Sequence, residues 1–295
     1  MFVLAHLSDP HLAPLPAPRA RELFGKRMLG YLNWRHKRQA IHRRDMLDAL
    51  VSDLKAQAPD HVAVTGDLVN IATQPEFAQA RAWLDALGSP RDVTLVPGNH
   101  DGYVRPAVAM QASFWRDYMG GDAADAAAPP FPFVRQRGPV VLIGLSTSVP
   151  TPAFMATGRL GAVQIARLDA LLAHQPGLCR VVLIHHPPRS RSSHYKRLVD
   201  AADLLAVLRR RGAELLLHGH DHVHALEWLD GPAGPIPAVG VPSASAAVAE
   251  PREAAGYNLY RIDGGPGGWR CEVATRGFAD GEKIVELARR ELNLP

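Results

Sequence analysis

The sequence contains little that would cross-link the chain or anchor it in a membrane. Cys179 and Cys271 are the only cysteines among its 295 residues. Two thiols outside a C-x-x-C motif exclude a disulfide framework and predict buried, reduced side chains. No stretch approaches the ~20 apolar residues of a membrane span, and the apolar run at residues 2–7 is too short for a secretory signal. We therefore expect a cytoplasmic protein.

Acidic residues are nearly missing from residues 19–44, which we call the basic segment. It contains nine lysines and arginines against one acid, Glu22, and so carries a formal charge of +8. Because the whole chain carries +4, the other residues sum to −4, and the basic character is local. No basic patch with interleaved aromatic residues occurs elsewhere, so a nucleic-acid partner is not expected.

The apolar residues predict alternating strands and helices, which is typical of α/β proteins. Buried strands are expected at residues 2–7, 61–65, 93–96, 140–145, 181–184 and 214–217, and helices at residues 38–57, 76–87, 162–174 and 201–211. Residues 103–133 interrupt this alternation and are interpreted as a cap or loop excursion. The tail is predicted to be rich in strands from residue 238 and to end in a short helix at residues 281–292.

Each of five predicted strands is followed by a short polar cluster. The clusters are Asp9-Pro10-His11, Gly66-Asp67, Gly98-Asn99-His100-Asp101, His185-His186 and Gly219-His220-Asp221-His222. Because the carboxyl ends of parallel strands meet at one edge of a sheet, we expect these side chains to lie together. A site that draws on residues 9 to 222 requires most of the chain to fold as one unit. We therefore predict a single domain, 1–295.

The clusters supply side chains that bind transition metals. Asp67 carries two oxygens and can bridge two cations. Asp9 lies two residues before His11, and His220 two residues before His222, so each pair points the same way on an extended segment. A mixture of imidazole nitrogens and oxygens favours Mn²⁺, Fe, Zn²⁺ or Co²⁺ over Mg²⁺ or Ca²⁺, which prefer oxygen ligands.

In order along the chain, the clusters resemble the calcineurin-like metallophosphoesterase superfamily. Its blocks are present as D-x-H, G-D, G-N-H-D, H-H-P and G-H-x-H, over about three quarters of the chain. The run His185-His186-Pro187-Pro188 and the compact size are similar to bacterial class III cyclic-nucleotide phosphodiesterases. The resemblance implies an α/β fold, a four-layer α/β/β/α sandwich with a dinuclear metal site at the strand ends.

The resemblance also implies a role for each matching residue. Two divalent transition-metal ions (Mn²⁺, Fe²⁺/Fe³⁺ or Zn²⁺) would be held by seven residues. One ion would be bound by Asp9, His11 and His222, and the other by Asn99, His185 and His220. Asp67 would bridge the two ions. His100 would contact a phosphoryl oxygen of the substrate or protonate the leaving group.

One position departs from the superfamily pattern. Many members have a second Asp three residues after the bridging one, where this sequence has Asn70. An amide can orient His100 by a hydrogen bond, but it cannot stabilise the imidazolium by charge as a carboxylate does. Asp101 is expected to fix the loop. The neighbouring histidines His186, His218 and His224 are expected to pack behind the ligands.

The expected function is dinuclear-metal-dependent hydrolysis of a phosphoester. The leading expectation is a phosphodiesterase that acts on cyclic nucleotides, or a related small phosphodiester, through attack by a metal-bound hydroxide. An alternative of another class is a non-catalytic scaffold with the same fold, against which the complete set of seven ligands argues.

The basic segment suggests a second substrate class. It is predicted to be a basic amphipathic helical insertion, because its charges alternate with seven apolar residues: Leu23, Phe24, Met28, Leu29, Tyr31, Leu32 and Trp34. This composition suits peripheral contact with anionic lipid at the inner face of a membrane. The substrate would then be a lipid-linked phosphoester or pyrophosphate, similar to UDP-diacylglucosamine. Alternatively, the apolar side packs on the protein core and the basic side is solvated.

Overall fold

Two six-stranded sheets form the centre of the protein. The computed structural model describes residues 1–123, 130–174, 177–190, 193–248, 250, 252–279 and 283–295. The strands are β1 (Phe2–Leu7), β2 (His61–Val64), β3 (Val93–Leu95), β4 (Phe133–Arg137), β5 (Val140–Gly144), β6 (Cys179–Leu183), β7 (Leu215–His218), β8 (Ala225–Leu229), β9 (Ile236–Gly240), β10 (Gly256–Asp263), β11 (Arg270–Ala279) and β12 (Lys283–Asn293). The α-helices are α1 (Lys26–Asn33), α2 (Gln39–Ile41), α3 (Arg44–Ala56), α4 (Gln74–Leu87), α5 (Arg105–Trp115), α6 (Ala162–Ala173) and α7 (Ala201–Arg211).

Each sheet contains a block of parallel strands. The first sheet has the order β12-β11-β10-β1-β2-β3, in which β1, β2 and β3 are parallel and β10 to β12 are antiparallel to their neighbours. The second sheet has the order β4-β5-β6-β7-β9-β8, with β5, β6, β7 and β9 parallel. Each sheet therefore has an edge where the carboxyl ends of several strands meet, which is where α/β sheets place their sites.

The side chains of the second sheet alternate between two apolar cores, as the twofold repeat of a strand requires. Leu142 and Leu183 lie in a core shared with the first sheet and with α3 and α4. Ile143 and Val182, one residue along each strand, lie in another core with α6 and α7. The order of layers is thus helix, sheet, sheet, helix. The predicted four-layer sandwich is confirmed.

The predicted C-terminal helix is wrong, because residues 283–293 form strand β12. The sequence there is rich in Glu, Leu, Ala and Arg, which favour a helix locally. Strand β12 instead pairs with β11 along its whole length, from Lys283 opposite Ala279 to Asn293 opposite Arg270. Pairing with a neighbouring strand has overridden the local preference. Residues 281 and 282 lie outside the described residues.

The helix predicted at residues 38–57 is broken at His42. Helix α3 begins at Arg44, and the preceding residues belong to a separate helical stretch that includes a π-helical turn, Trp34–Arg38. The break has a structural cause, since the main chain here pairs with residues 245–247. Arg43 N donates to Ser245 O at 2.9 Å, and Ala247 N donates to Ile41 O at 2.7 Å. The end of the basic segment is consequently joined to residues 245–247.

The cap or loop excursion predicted at residues 103–133 contains α5. This helix packs beside α4, with the Trp115 and Phe77 rings 4.5 Å apart between centroids. Residues 124–129 of this region lie outside the described residues. Among the helices of the described chain, none combines the length and the hydropathy needed to cross a bilayer.

Candidate metal centre

The polar clusters meet where the carboxyl edges of the two sheets face each other. The first sheet contributes the side chains that follow β1, β2 and β3, and the second sheet contributes those that follow β6 and β7. The clusters place seven side chains here: Asp9, His11, Asp67, Asn99, His185, His220 and His222. The first five are buried and the last two are partly exposed. A site of this kind can form only when both sheets are in place.

The Asp9, His11 and His222 side chains form one group within this centre. The Nε2 atoms of His11 and His222 are 3.4 Å apart, and His222 Nε2 lies 3.0 Å from Asp9 Oδ1. His11 Nε2 is 3.8 Å from both Asp9 Oδ1 and Asp67 Oδ2. Two neighbouring residues after β1 and one distant residue after β7 therefore direct ligand atoms at one point.

A second group gathers around Asn99 Oδ1, which lies 3.2 Å from His185 Nε2 and 2.9 Å from His220 Nδ1. The Asp67 Oδ2 atom is 3.4 Å from His185 Nε2, so this one carboxylate oxygen lies between the two groups. His186 also neighbours His185 and His220. Both of its ring nitrogens, however, have partners, Thr147 Oγ1 at 2.7 Å and Ala156 O at 3.0 Å.

Main-chain carbonyls orient three of the imidazoles. His185 Nδ1 donates to Thr65 O at 2.6 Å, His220 Nε2 donates to Lys196 O at 2.7 Å, and His11 Nδ1 donates to Val69 O at 3.3 Å. A carbonyl can only accept, so in the neutral form of each ring the other nitrogen bears the lone pair, and it points into the centre. Such outer partners are typical of metal-ligating histidines.

The carboxylates and imidazoles of the centre shift the pKa values of one another. Burial opposes the ionised form of Asp9, but His222 and His185 outweigh it and lower the pKa of this carboxyl to about 2. Burial likewise opposes the charged form of His185, but Asp67 and Asp9 raise the pKa of its imidazole to about 10. The carboxylates therefore attract positive charge into a buried space. Lone pairs of imidazole and carboxylate that converge in this way fit divalent transition-metal ions.

The backbone at the ligands is unusual, because five of the seven have positive φ. The values are 51° for Asp9, 36° for His11, 56° for Asp67, 70° for His220 and 53° for His222. Non-glycine residues rarely adopt this left-handed conformation, and it costs free energy where it occurs. Its concentration in one place indicates that the fold stabilises these turns in order to aim the side chains.

Two glycines leave room for the aspartate ligands. A Cβ atom at Gly98 would collide with the Asp67 carboxylate, and one at Gly219 would collide with Asp9 Oδ2. Both carboxylates therefore approach the main chain of the opposite loop more closely than any other residue would permit.

Asp101 ties the loops after β2 and β3 together. Its carboxylate accepts hydrogen bonds from four main-chain N–H groups, those of Asp67 (2.8 Å), Leu68 (2.9 Å), Val69 (3.2 Å) and Gly98 (2.8 Å). These contacts use both carboxylate oxygens. Asp101 consequently supports the loop that carries Asp67.

The expected side-chain contact of Asn70 with His100 needs correction. The Asn70 amide instead donates to Leu12 O at 3.2 Å. It is the main-chain carbonyl of Asn70 that accepts from His100 Nδ1, at 2.6 Å. Since a carbonyl is available whatever the side chain, the orientation of His100 does not depend on whether Asp or Asn occupies this position.

The sequence analysis missed Arg38, which enters the centre from the basic segment. One of its terminal nitrogens (NH1) lies 2.8 Å from His100 Nε2, and the other (NH2) lies 2.8 Å from His11 Nε2. Burial, together with the positive charge of Arg38, lowers the pKa of His100 to about 3. His100 is therefore neutral, with its proton on Nδ1 and a lone pair on Nε2. No motif marks Arg38, which is one of nine lysines and arginines in the basic segment.

In the basic segment, basic side chains face the protein and several apolar side chains face solvent, which is the reverse of the usual packing of an amphipathic helix. Lys26 Nζ donates to Thr151 Oγ1 at 2.7 Å, and Arg27 donates to the carbonyls of Ile71 (3.1 Å) and Ala72. The apolar residues instead face outward, with exposed fractions of 77% for Phe24, 41% for Met28, 42% for Leu29 and 44% for Leu32. The alternative in which this side packs on the core is therefore wrong for these four. It holds for Trp34, which is 3% exposed.

Comparisons with known proteins agree with this geometry. A family model described as calcineurin-like phosphoesterase matches residues 2–224. A probable cyclic nucleotide phosphodiesterase of Synechococcus is 24% identical over 76% of this chain and 80% of its own length. A glycerophosphodiester phosphodiesterase, GpdQ, of Enterobacter lignolyticus is 30% identical over 45% of this chain and 43% of its own.

Among solved structures, a purple acid phosphatase of yellow lupin aligns with a TM-score of 0.58 at 14% identity. The alignment covers 97% of this chain and 52% of the lupin protein, so this chain spans about half the length of that relative. At this identity the likeness is one of fold.

Proposed function

The chain belongs to the calcineurin-like phosphoesterase family, and from that membership we propose that it hydrolyses small phosphodiesters with the help of two metal ions. The observation that carries this proposal is the convergence of ligand atoms from both sheets on two adjoining points. Cyclic nucleotides are the leading substrate class, because the relative that aligns over most of its length is named as a probable cyclic nucleotide phosphodiesterase. The complete ligand set argues against a non-catalytic scaffold.

We assign the ligands by the two groups seen in the centre. One ion would be held by Asp9, His11 and His222, the other by Asn99, His185 and His220, and Asp67 would bridge them. When bound, two divalent cations would lower the pKa of a water molecule and offset negative charge on the phosphoryl oxygens. The protein supplies the rest, which is a buried site, fixed imidazoles and a neutral His100 beside Arg38.

His100 is expected to hold the Arg38 guanidinium in the centre and not to protonate the leaving group, because its ring is neutral and its Nε2 lone pair accepts from Arg38 NH1. Changing His100→Ala should lower kcat/KM by roughly 10–100-fold, equally for p-nitrophenyl and alkyl leaving groups. Steady-state kinetics with one substrate of each kind would measure this. The exposed His36→Ala variant serves as the control. A loss that is tenfold greater for the alkyl substrate would show that His100 acts as an acid.

A lipid-linked phosphoester or pyrophosphate is the second candidate substrate. It is favoured by the exposed apolar residues of the basic segment, which lies beside the centre through Arg38 and carries a net positive charge. Exposed apolar and basic side chains together suit the surface of an anionic membrane. On this proposal the protein would work at the inner face of the membrane.

The membrane proposal predicts that the protein sediments with vesicles containing phosphatidylglycerol, more strongly at low than at physiological salt, because screening weakens the attraction. A Phe24, Met28 and Leu32 to Ser variant should lose this binding. Trp34 is kept, since it is buried. The matched control changes Val285 and Leu287, which are 38% and 43% exposed on β12, to Ser. If the wild type stays in the supernatant at both salts, only soluble substrates remain.

A further inference from the structure

Arg38 is held in the metal centre by contacts behind it. His42 Nε2 accepts from the Arg38 Nε and NH2 groups, each at 3.4 Å. On its other side, His42 Nδ1 donates to Ser245 Oγ at 3.0 Å. The ring of Trp34 stacks on His42, with an angle of 6° between the planes and 6.1 Å between the centroids. The guanidinium is thus fixed by a layer of buried side chains.

The neighbours of Arg38 on the same π-helical turn behave differently. Arg35 and Lys37 are exposed, whereas Arg38 is partly buried and reaches two imidazoles of the centre. Arg38 points towards His42, which is held in place by the main-chain pairing with residues 245–247, whereas Arg35 and Lys37 leave the turn towards solvent. Within this turn, Arg38 is therefore set apart from Arg35 and Lys37.

The two imidazole partners of Arg38 are not equivalent. His11 Nε2 has a single lone pair, and this same atom points at the Asp9, His222 and Asp67 ligand atoms. A metal ion held by His11 would take that lone pair, and the NH2 group of Arg38 would then keep only its longer contact with His42 Nε2, at 3.4 Å, while the NH1 group keeps His100. A guanidinium in a buried site needs acceptors for its donors. The phosphoryl oxygens of a substrate are anionic acceptors that suit its fork of donors.

We propose that Arg38 binds a non-bridging phosphoryl oxygen of the substrate beside His100, so that the basic segment forms part of the substrate site. This proposal rests on the phosphoester hydrolase function proposed above. The chemical class it implies is a phosphoryl group that carries negative charge. The role of Arg38 is to bind and orient that group.

Inorganic phosphate is a probe that does not require turnover. Isothermal titration calorimetry would measure its binding to protein loaded with Mn²⁺ and freed of excess metal, for the wild type, Arg38→Gln, Arg38→Lys and the matched control Arg35→Gln. We expect Kd to rise by about tenfold or more for Arg38→Gln, since a charged hydrogen bond is lost, and to rise less for Arg38→Lys. The control should match the wild type. Metal content and thermal melting, measured in parallel, would show that each variant is folded and loaded.

The outcomes separate this proposal from the proposed function. Phosphate affinity of Arg38→Gln within twofold of the wild type would overturn the role of Arg38, even if the protein hydrolyses diesters. The same unchanged affinity with tighter metal binding would also overturn it, and would show that Arg38 only competes with the metal at His11. Weaker phosphate binding in a protein that hydrolyses none of the tested esters would support Arg38 as an anion ligand and count against the reaction.

Discussion

Replacing Asp67 with asparagine is expected to reduce Mn²⁺-dependent hydrolysis of bis-p-nitrophenyl phosphate by about a thousandfold or more. The Oδ2 atom of Asp67 lies 3.8 Å from His11 Nε2 and 3.4 Å from His185 Nε2. It is thus placed to serve both metal positions. Asparagine removes the negative charge and replaces one of the two acceptor oxygens with an NH2 group, which can only donate. Initial rates at saturating Mn²⁺, with metal content measured in parallel, would test the expectation.

Asparagine is the informative substitution because it keeps the backbone. Asp67 has a φ of 56°, which asparagine adopts as readily as aspartate and more readily than alanine. The remaining amide oxygen can still accept the hydrogen bond that the main-chain N–H of His100 donates to Asp67 Oδ1, at 2.7 Å. His220→Ala provides a second ligand variant, and the exposed Asp48→Asn provides the control. Equal turnover in all of these proteins would leave the scaffold interpretation standing.

Chelation of the metals should abolish activity, and Mn²⁺ should restore it better than Mg²⁺. Four of the seven ligands are imidazoles, which manganese accepts and magnesium avoids. Chelation should also lower the melting temperature by several degrees, because the ligands come from both sheets and bound metal stabilises the folded state by mass action. Calorimetry and plasma mass spectrometry of the reconstituted protein would follow these effects, with an expected content of two metal ions per chain.

The control for chelation is the Asp67→Asn variant, whose melting temperature should respond much less to metal. A reconstituted wild type that holds fewer than about one equivalent would contradict a dinuclear centre. Equal recovery with Mg²⁺ would instead show that the imidazoles do not select the ion.

The gathering of the ligands could be predicted because each one follows directly after a strand. A strand and the residue after it are local features, and the sheet then brings residues such as Asp9 and Asp67 together. The position of Arg38 could not be predicted in this way. It depends on the break at His42, which arises from pairing with residues 245–247, about two hundred residues away.

Two other differences between the sequence-based predictions and the structure also arise from contacts between residues far apart in the sequence. Strand β12 has the composition of a helix, but β11 offers it a partner along its whole length. Phe24 and Leu32 follow a pattern typical of a buried face, yet they are exposed because Lys26 and Arg27 bond to carbonyl and hydroxyl groups on the inner side. The local sequence shows which residues are apolar, but contacts with neighbouring loops determine which side of the helix faces the protein.

The order of strands in the first sheet also determines when the centre can form on the ribosome. Asp9 and His222 contact each other across 213 positions, so the first metal position cannot be completed until residue 222 has been synthesised. β1, which carries Asp9 and His11, lies between β2 and β10. One side of β1 thus has no partner until the segment ending at Asp263 is synthesised. Metal capture by the complete set of ligands therefore requires the segment up to residue 222, and the support of β1 on both sides requires the segment up to Asp263.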